Sequence, residues 1–249
     1  MTLVGNMPRF FVDSVSGNTI SIRGNDAYHI GRSLRMRLGD IITVCADRVE
    51  YRAKILSISD KEVVCDVLSA EKSENEPTVN VVLYQALPKS DKMDLIVQKA
   101  VELGVYKIVP VITARCVSRP AKIGYEKRVE RYNKIALEAA KQSGRGIVPT
   151  VFEFMTINEV IEKSKEFDLF FVPYECEEQK TLKEILTSKS DVKSVGFVIG
   201  PEGGFDLSET EKLHSSGIDT VTLGKRILRT ETAGEAVLAM TMYEIGDIN

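Results

Sequence analysis

From Thr78 to the C-terminus, short uninterrupted apolar runs alternate with stretches of helical periodicity. Strands buried on both faces read as such runs, and their regular alternation with helices implies an α/β fold with a mostly parallel sheet and helices on both faces. Residues 79–87, 105–112, 148–154 and 167–173 are strand-like, and residues 125–142 carry a long helical stripe. Asp91 is placed to cap a helix with apolar positions Met93, Ile96, Val97, Ala100 and Val101, which Gly104 closes. Thr156 with Glu159, Thr181 with Glu184, Ser208 with Glu211 and Thr232 with Glu235 have the spacing of capping boxes.

Two further strands, residues 194–200 and 218–224, end in glycine. They open into Pro201-Glu-Gly-Gly-Phe205 and Lys225-Arg-Ile-Leu-Arg-Thr-Glu-Thr-Ala233. Loops leaving the carboxyl ends of neighbouring strands are where open α/β sheets hold ligands. Neither loop has the Gly-x-x-x-x-Gly-Lys-Ser/Thr spacing of a phosphate loop, and no Gly-x-Gly-x-x-Gly occurs. A P-loop nucleotidase and a standard dinucleotide binder are therefore disfavoured, and Glu202 would repel a triphosphate. A neutral or cationic ligand presenting adenine and ribose suits such loops better, since backbone groups can meet a base edge and a carboxylate can meet hydroxyls or positive charge. S-adenosyl-L-methionine is a ligand of this kind.

The first seventy residues read differently, as a small β-rich barrel or sandwich. Val49, Tyr51, Ala53 and Ile55 alternate with Glu50, Arg52 and Lys54, the mark of a half-buried strand. Glu71-Lys-Ser-Glu-Asn-Glu-Pro77 is polar and aperiodic, which puts a domain boundary there: 1–72 and 73–249. Met1–Asn6 looks dispensable. Four cysteines far apart and two histidines offer no zinc-ligand spacing, so no metal is expected. No run approaches the roughly eighteen apolar residues of a membrane span, and no signal-peptide pattern opens the chain, so a cytoplasmic protein with no membrane partner is expected.

Net charge is −3, yet residues 86–146 carry thirteen Lys/Arg against six Asp/Glu. That asymmetry points to a polyanion-binding face on an otherwise acidic protein. Solvated helix faces are the alternative origin.

Gly200-Pro-Glu-Gly-Gly-Phe205 with Glu209, followed by Leu223-Gly-Lys-Arg-Ile-Leu-Arg-Thr-Glu-Thr-Ala233, resembles the signature of SPOUT-class RNA methyltransferases. Within that class the chain is similar to the family that methylates N3 of a uridine in 16S ribosomal RNA. Met7-Pro-Arg-Phe-Phe, Lys89 with Asp91-Lys-Met93, Gln98-Lys-Ala-Val-Glu-Leu-Gly104 and Glu138-Ala-Ala-x-Gln-Ser-x-Arg145 extend the likeness along the chain. The resemblance implies a PUA-like RNA-binding barrel, then a SPOUT domain with a deep trefoil knot. It also implies a homodimer with the last helix at its interface, and the small ribosomal subunit as partner.

The cofactor is then expected against Ile199, Gly200, Glu202, Gly203, Gly204, Leu223, Gly224, Ile227, Leu228, Thr232 and Ala233, with Phe171 or Val172 from the preceding strand end. Arg229 is the candidate charge facing the uracil or its phosphate, with a salt bridge to Glu231 as its alternative role. Glu231 or Glu202 is the candidate general base. Arg9, Lys89, Arg115 and Arg145 are candidates for contacts to RNA. The alternatives to this activity are a methyltransferase for another RNA, such as a transfer-RNA 2′-O-methyltransferase, and a non-catalytic ribosome-assembly factor.

Overall fold

The computed structural model describes residues 7–15, 17–117, 122–246 and 248. The expectation about Met1–Asn6 lies outside the described residues. The chain separates into two compact units, Met1–Glu76 with Ala140–Val148, and Pro77–Ala139 with Pro149–Asn249.

The first unit is a five-stranded sheet of β1 (Arg9–Phe11), β2 (Thr19–Arg23), β3 (Ile41–Ala46), β4 (Val49–Ile58) and β5 (Glu62–Lys72), in the order β1-β3-β4-β5-β2. A short helix α1 (Asn25–Tyr28) runs into one wide turn, His29–Ser33. Asp47 and Arg48 join β3 to β4 at φ 49° and 64°. Two consecutive left-handed residues give a tight hairpin a twist that matches its strands. On β4 the buried positions are Ala53 and Ile55, as alternation requires, and they meet Phe10, Ile20, Ile22, Ile42, Val44 and Val63 in one core.

This unit is also tied by buried charge. The Arg145 guanidinium, with the residue 3% exposed, donates from Nε and Nη2 to the two Glu76 carboxylate oxygens at 2.9 and 2.8 Å. Glu76 Oε1 further accepts from the Gly146 and Ile147 amides at 2.7 and 3.2 Å. Arg9 donates to Glu50 Oε2 at 2.9 Å and to the Arg145 carbonyl at 3.0 Å. The guanidiniums of Arg9 and Arg145, expected to face RNA, are thus paired within this unit, Arg145 with the buried Glu76 and Arg9 with the partly exposed Glu50.

The second unit contains β6 (Asn80–Ala86), α2 (Lys92–Glu102), β7 (Lys107–Ile112), α3 (Tyr125–Ser143, up to residue 139), β8 (Thr150–Val151) and β9 (Met155–Thr156). It continues with α4 (Ile157–Ser164), β10 (Leu169–Pro173), α5 (Leu182–Leu186), β11 (Ser194–Ile199), α6 (Leu207–Ser215), β12 (Asp219–Val221) and α7 (Thr230–Ile245). The sheet is parallel at every pairing, in the order β12-β10-β11-β6-β7-β8, with β9 beside β7. The strand expected over residues 148–154 is only two residues long; Asn133 of α3 holds Val151 by its backbone N–H and C=O at 2.9 Å each.

Alternation along β6 assigns the faces. Val82 and Tyr84 join Val109, Val111, Val172 and Val198 under α4 and α6. Gln85, one position on, points the other way, toward the start of α7. The helices α2 and α7 pack against each other on that side. Gly104, at φ 92°, ends α2 where a Cβ would lie 2.9 Å from Pro77 and 3.3 Å from Met242, so only glycine fits both the turn and the space.

Thr156 and Thr181 form the capping boxes expected of them. The box expected from Ser208 forms two residues earlier, from Asp206 and Glu209, because Phe205 is pulled into the core and the helix starts directly after it. α7 starts at Thr230, not after Thr232, and Asp91 makes no capping bond but lies 3.7 Å from Arg131.

Removing the Glu76 carboxylate strands a buried guanidinium and two amides. Glu76→Ala is expected to destabilise the protein by about 3–5 kcal/mol, read as a lower denaturant midpoint, with Glu76→Gln recovering part of the loss.

Candidate active site

All parallel strands of the second unit point their carboxyl ends to one edge, so the loops 87–91, 113–117, 174–181, 200–206 and 222–229 emerge together there. In loop 200–206, the Gly204 amide donates to the Pro201 carbonyl at 2.9 Å, and Gly204 sits at φ 67°. Loop 113–117 clamps it from the side. Arg115 Nη1 donates to the Gly203 carbonyl at 3.1 Å, and Glu209 Oε1 accepts from the Ala114 amide at 2.7 Å.

Loop 222–229 is anchored at its base. The Thr222 amide donates to the Lys180 carbonyl at 2.8 Å, and Gly224, at φ 96°, donates its amide to Thr222 Oγ1 at 3.1 Å. Next to it, Thr220 Oγ1 donates to Glu177 Oε2 at 2.6 Å. That bond, with amides of Gln179 and Lys180, holds the Glu177 carboxyl down to about 2.

The charge at this edge is arranged around Lys92. Its ammonium lies 3.1 Å from Glu202 of one loop and 3.1 Å from Glu231 on the first turn of α7. The Lys89 amide adds bonds to both Glu202 oxygens at 3.1 and 3.3 Å. Burial pushes both carboxyls up, but their own backbone amides and Lys92 outweigh it, and both end below the usual carboxylate range. Glu231 and then Glu202, through the same bonds, raise the Lys92 ammonium. Two carboxylates thus share one ammonium, leaving a surplus negative charge. Glu231 pairs with Lys92, so the expected alternative salt bridge to Arg229 does not form. Among the described residues the exposed Arg229 makes no side-chain hydrogen bond or ion pair, and its charge acts on Glu231 only through space.

The residues expected to line a cofactor site divide by exposure. Phe171, Val172 and Ile199 are buried, and Phe171 stacks on Phe197 at 5.9 Å. Gly200, Gly204, Leu223 and Leu228 are partly exposed, as are the more open Gly203, Gly224 and Thr232; Ala233 is buried. Ile227 is 88% exposed, an apolar side chain in the open at the mouth of the loop. Lys89 and Arg115 are both exposed at this edge. Sequence reasoning assigned no role to Lys92, Thr230 or Gln85. Lys92 reads as one more solvated residue on an amphipathic helix, and nothing local marks its partners.

Among the described residues, no group of three or more His, Cys, Asp or Glu is arranged to hold a metal ion, and no helix is long and apolar enough to cross a membrane.

The second unit is thus a parallel α/β domain with glycine loops at its carboxyl edge, and the first is a small β-rich module. A family model described as an RNA methyltransferase domain matches residues 74–242, and another, described as an RNA methyltransferase PUA domain, matches residues 22–68. The chain belongs to this RNA methyltransferase family. Ribosomal RNA small subunit methyltransferase E of Bacillus subtilis is 34% identical to it over 96% of this chain and 97% of that protein. Among solved structures, ribosomal RNA small subunit methyltransferase E from Neisseria gonorrhoeae, bound to S-adenosyl methionine, has a TM-score of 0.87 at 31% identity, covering 98% of this chain and all of that one. A putative methyltransferase from Legionella pneumophila with bound SAM has a TM-score of 0.87 at 27% identity, covering 97% and 99%. The α/β architecture with its PUA-like first domain is therefore as the sequence implies.

Two outcomes follow from the loop anchoring. The Glu177 carboxyl is depressed from an ordinary value of 4.5 to about 2, so its contribution to stability is complete above 4.5 and lost as pH falls through about 2. Carbon-13 NMR titration should show this low midpoint in the native protein and an upward move in Thr220→Val. Gly204→Ala, which forces a side chain into the left-handed region, should destabilise by about 1–2 kcal/mol, measured by thermal unfolding.

Proposed function

We propose that this chain transfers a methyl group from S-adenosyl-L-methionine to N3 of a uridine in 16S ribosomal RNA, acting in the cytoplasm as a homodimer on the small ribosomal subunit. The observation that carries this proposal is the pair of glycine loops at the carboxyl edge of the sheet, with Glu202 and Glu231 sharing Lys92 and, among the described residues, Arg229 left unpaired beside them. The cofactor in the Neisseria gonorrhoeae relative and the ribosomal name of the Bacillus subtilis relative support it.

The residues present fit such a ligand. A surplus carboxylate charge suits a molecule that brings cationic groups, and it disfavours a polyphosphate. Gly203 and Gly204 carry no side chains of their own to close the loop, and the half-exposed Leu223 and Leu228 offer apolar walls. When bound, S-adenosyl-L-methionine supplies an electrophilic methyl group on a sulfonium. The protein's own work is to place uracil N3 in line with that methyl and to manage one proton. N3 lies between two carbonyls, so deprotonation leaves negative charge spread over both oxygens. The Arg229 guanidinium is the group that stabilises this charge, which favours the ionised base in the transition state. Glu231 and Glu202 are ionised proton acceptors, but Lys92 makes each a weaker base than a free carboxylate, so stabilisation by Arg229 carries more of the catalysis.

Lys89 and Arg115 remain the candidates for the RNA backbone at this edge. The exposed Met240 and Tyr243 on α7 support the dimer, since two large apolar side chains in the open on a terminal helix suit a self-complementary interface. The deep trefoil knot of the last fifty residues belongs to the same proposal.

Labelled S-adenosyl-L-methionine, incubated with unmodified small subunits and with naked 16S RNA, is expected to yield 3-methyluridine by nucleoside mass spectrometry. A methylated ribose or a different base would overturn the N3 assignment. Arg229→Ala should lower kcat by about 10²–10³-fold with a smaller change in cofactor affinity.

A further inference from the structure

At the centre of the sheet, Gln85 is fully buried and stands directly opposite Ile199 in the pairing of β6 with β11. Its amide nitrogen donates to the Ala86 carbonyl at 3.0 Å and to Thr230 Oγ1 at 2.9 Å. Thr230 Oγ1 in turn lies 2.6 Å from the Gly200 carbonyl. A carbonyl only accepts, so the single threonine hydrogen points to Gly200, and the lone pair left over receives the glutamine N–H. The opposite amide orientation would set the glutamine oxygen against the Ala86 carbonyl. Donor direction is thus fixed along the chain, from Gln85 to Thr230 to Gly200.

The other end of the amide has no such company. Gln85 Oε1 is buried without a hydrogen-bond partner. It faces Gly234 of α7, where a Cβ would come within 3.3 Å. An orphaned buried acceptor is destabilising, and an unbranched apolar side chain would fill the same space without one. The amide's donor is what such a side chain could not replace. Its target is informative, because Gly200 precedes Pro201. A peptide bond to proline has no N–H, so the carbonyl is the handle by which the entry to the glycine loop can be oriented.

We propose that Gln85 is a positioning residue: acting through the Thr230 hydroxyl, it sets the direction of the Gly200 carbonyl and so shapes the glycine loop before the methyl donor arrives. This rests on the function proposed above. Thr230 sits between Arg229 and Glu231, so the same relay joins the loop to the turn that carries both. The chain accepts a less stable core in exchange for a preformed loop.

The test is calorimetric titration of S-adenosyl-L-methionine into the full-length protein, with thermal unfolding and steady-state kinetics alongside. Gln85→Met is expected to weaken binding about five- to tenfold while keeping or raising Tm, with a larger effect on KM than on kcat. Thr230→Val should weaken binding similarly, Thr230→Ser should recover most of it, and the double variant Gln85→Met with Thr230→Val should be no weaker than either single one. A Kd unchanged in Gln85→Met, additive losses in the double variant, or a Tm that falls in step with affinity would each overturn the relay. If Gln85→Met fails to fold, the comparison of Thr230→Ser with Thr230→Val decides it, since equal Kd values there also overturn it. Absence of donor binding by the unaltered protein would overturn the functional proposal, and the relay with it.

Discussion

A parallel sheet covered by helices on both faces delivers every strand's carboxyl end to one edge, and the second unit is organised by that constraint. β6 and β11 pair in the middle, so the loops after them are neighbours before any side chain acts. Short β12 brings a third loop beside β10, and the start of α7 returns over β6 and β11. Hydrophobic burial makes the sheet, while the sheet's polarity makes the site.

Charge is handled in two contrasting ways. In the first unit, Arg145 and Glu76 form a buried two-bond pair whose remaining carboxylate capacity is taken up by backbone amides. Such a pair adds little net stability over an apolar pair but penalises any arrangement that separates its members. At the loop edge of the second unit the stoichiometry is unequal, with one ammonium between two carboxylates and, among the described residues, a guanidinium unpaired nearby. Unequal charge at a solvent-facing edge is tolerated because water screens it, and it is available to a ligand for the same reason.

The local elements were legible because their signals are local. Thr156 with Glu159 and Thr181 with Glu184 cap helices as their spacing says, and Met93, Ile96, Val97, Ala100 and Val101 form the buried stripe of α2. What was not legible depends on distant residues. Ser208 lost its cap to Asp206 once Phe205 became a core residue, and Arg9 and Arg145 pair with carboxylates distant in sequence. An arginine in a sequence carries no mark of whether its partner is a phosphate or a buried glutamate.

By itself the sequence determined the alternation of strand and helix, the parallel sheet, the separate β-rich first unit and the two glycine loops that form the candidate site. Each depends on periodicity or on backbone freedom within a few residues. Only the tertiary structure decided which charges are structural and which are open, and that Lys92, Thr230 and Gln85 belong to the site at all. Lys92 meets a glutamate 139 positions away, and Gln85 meets a threonine 145 positions away. Hydrogen bonds between such distant residues follow from strand order and register, which no short stretch of the chain contains.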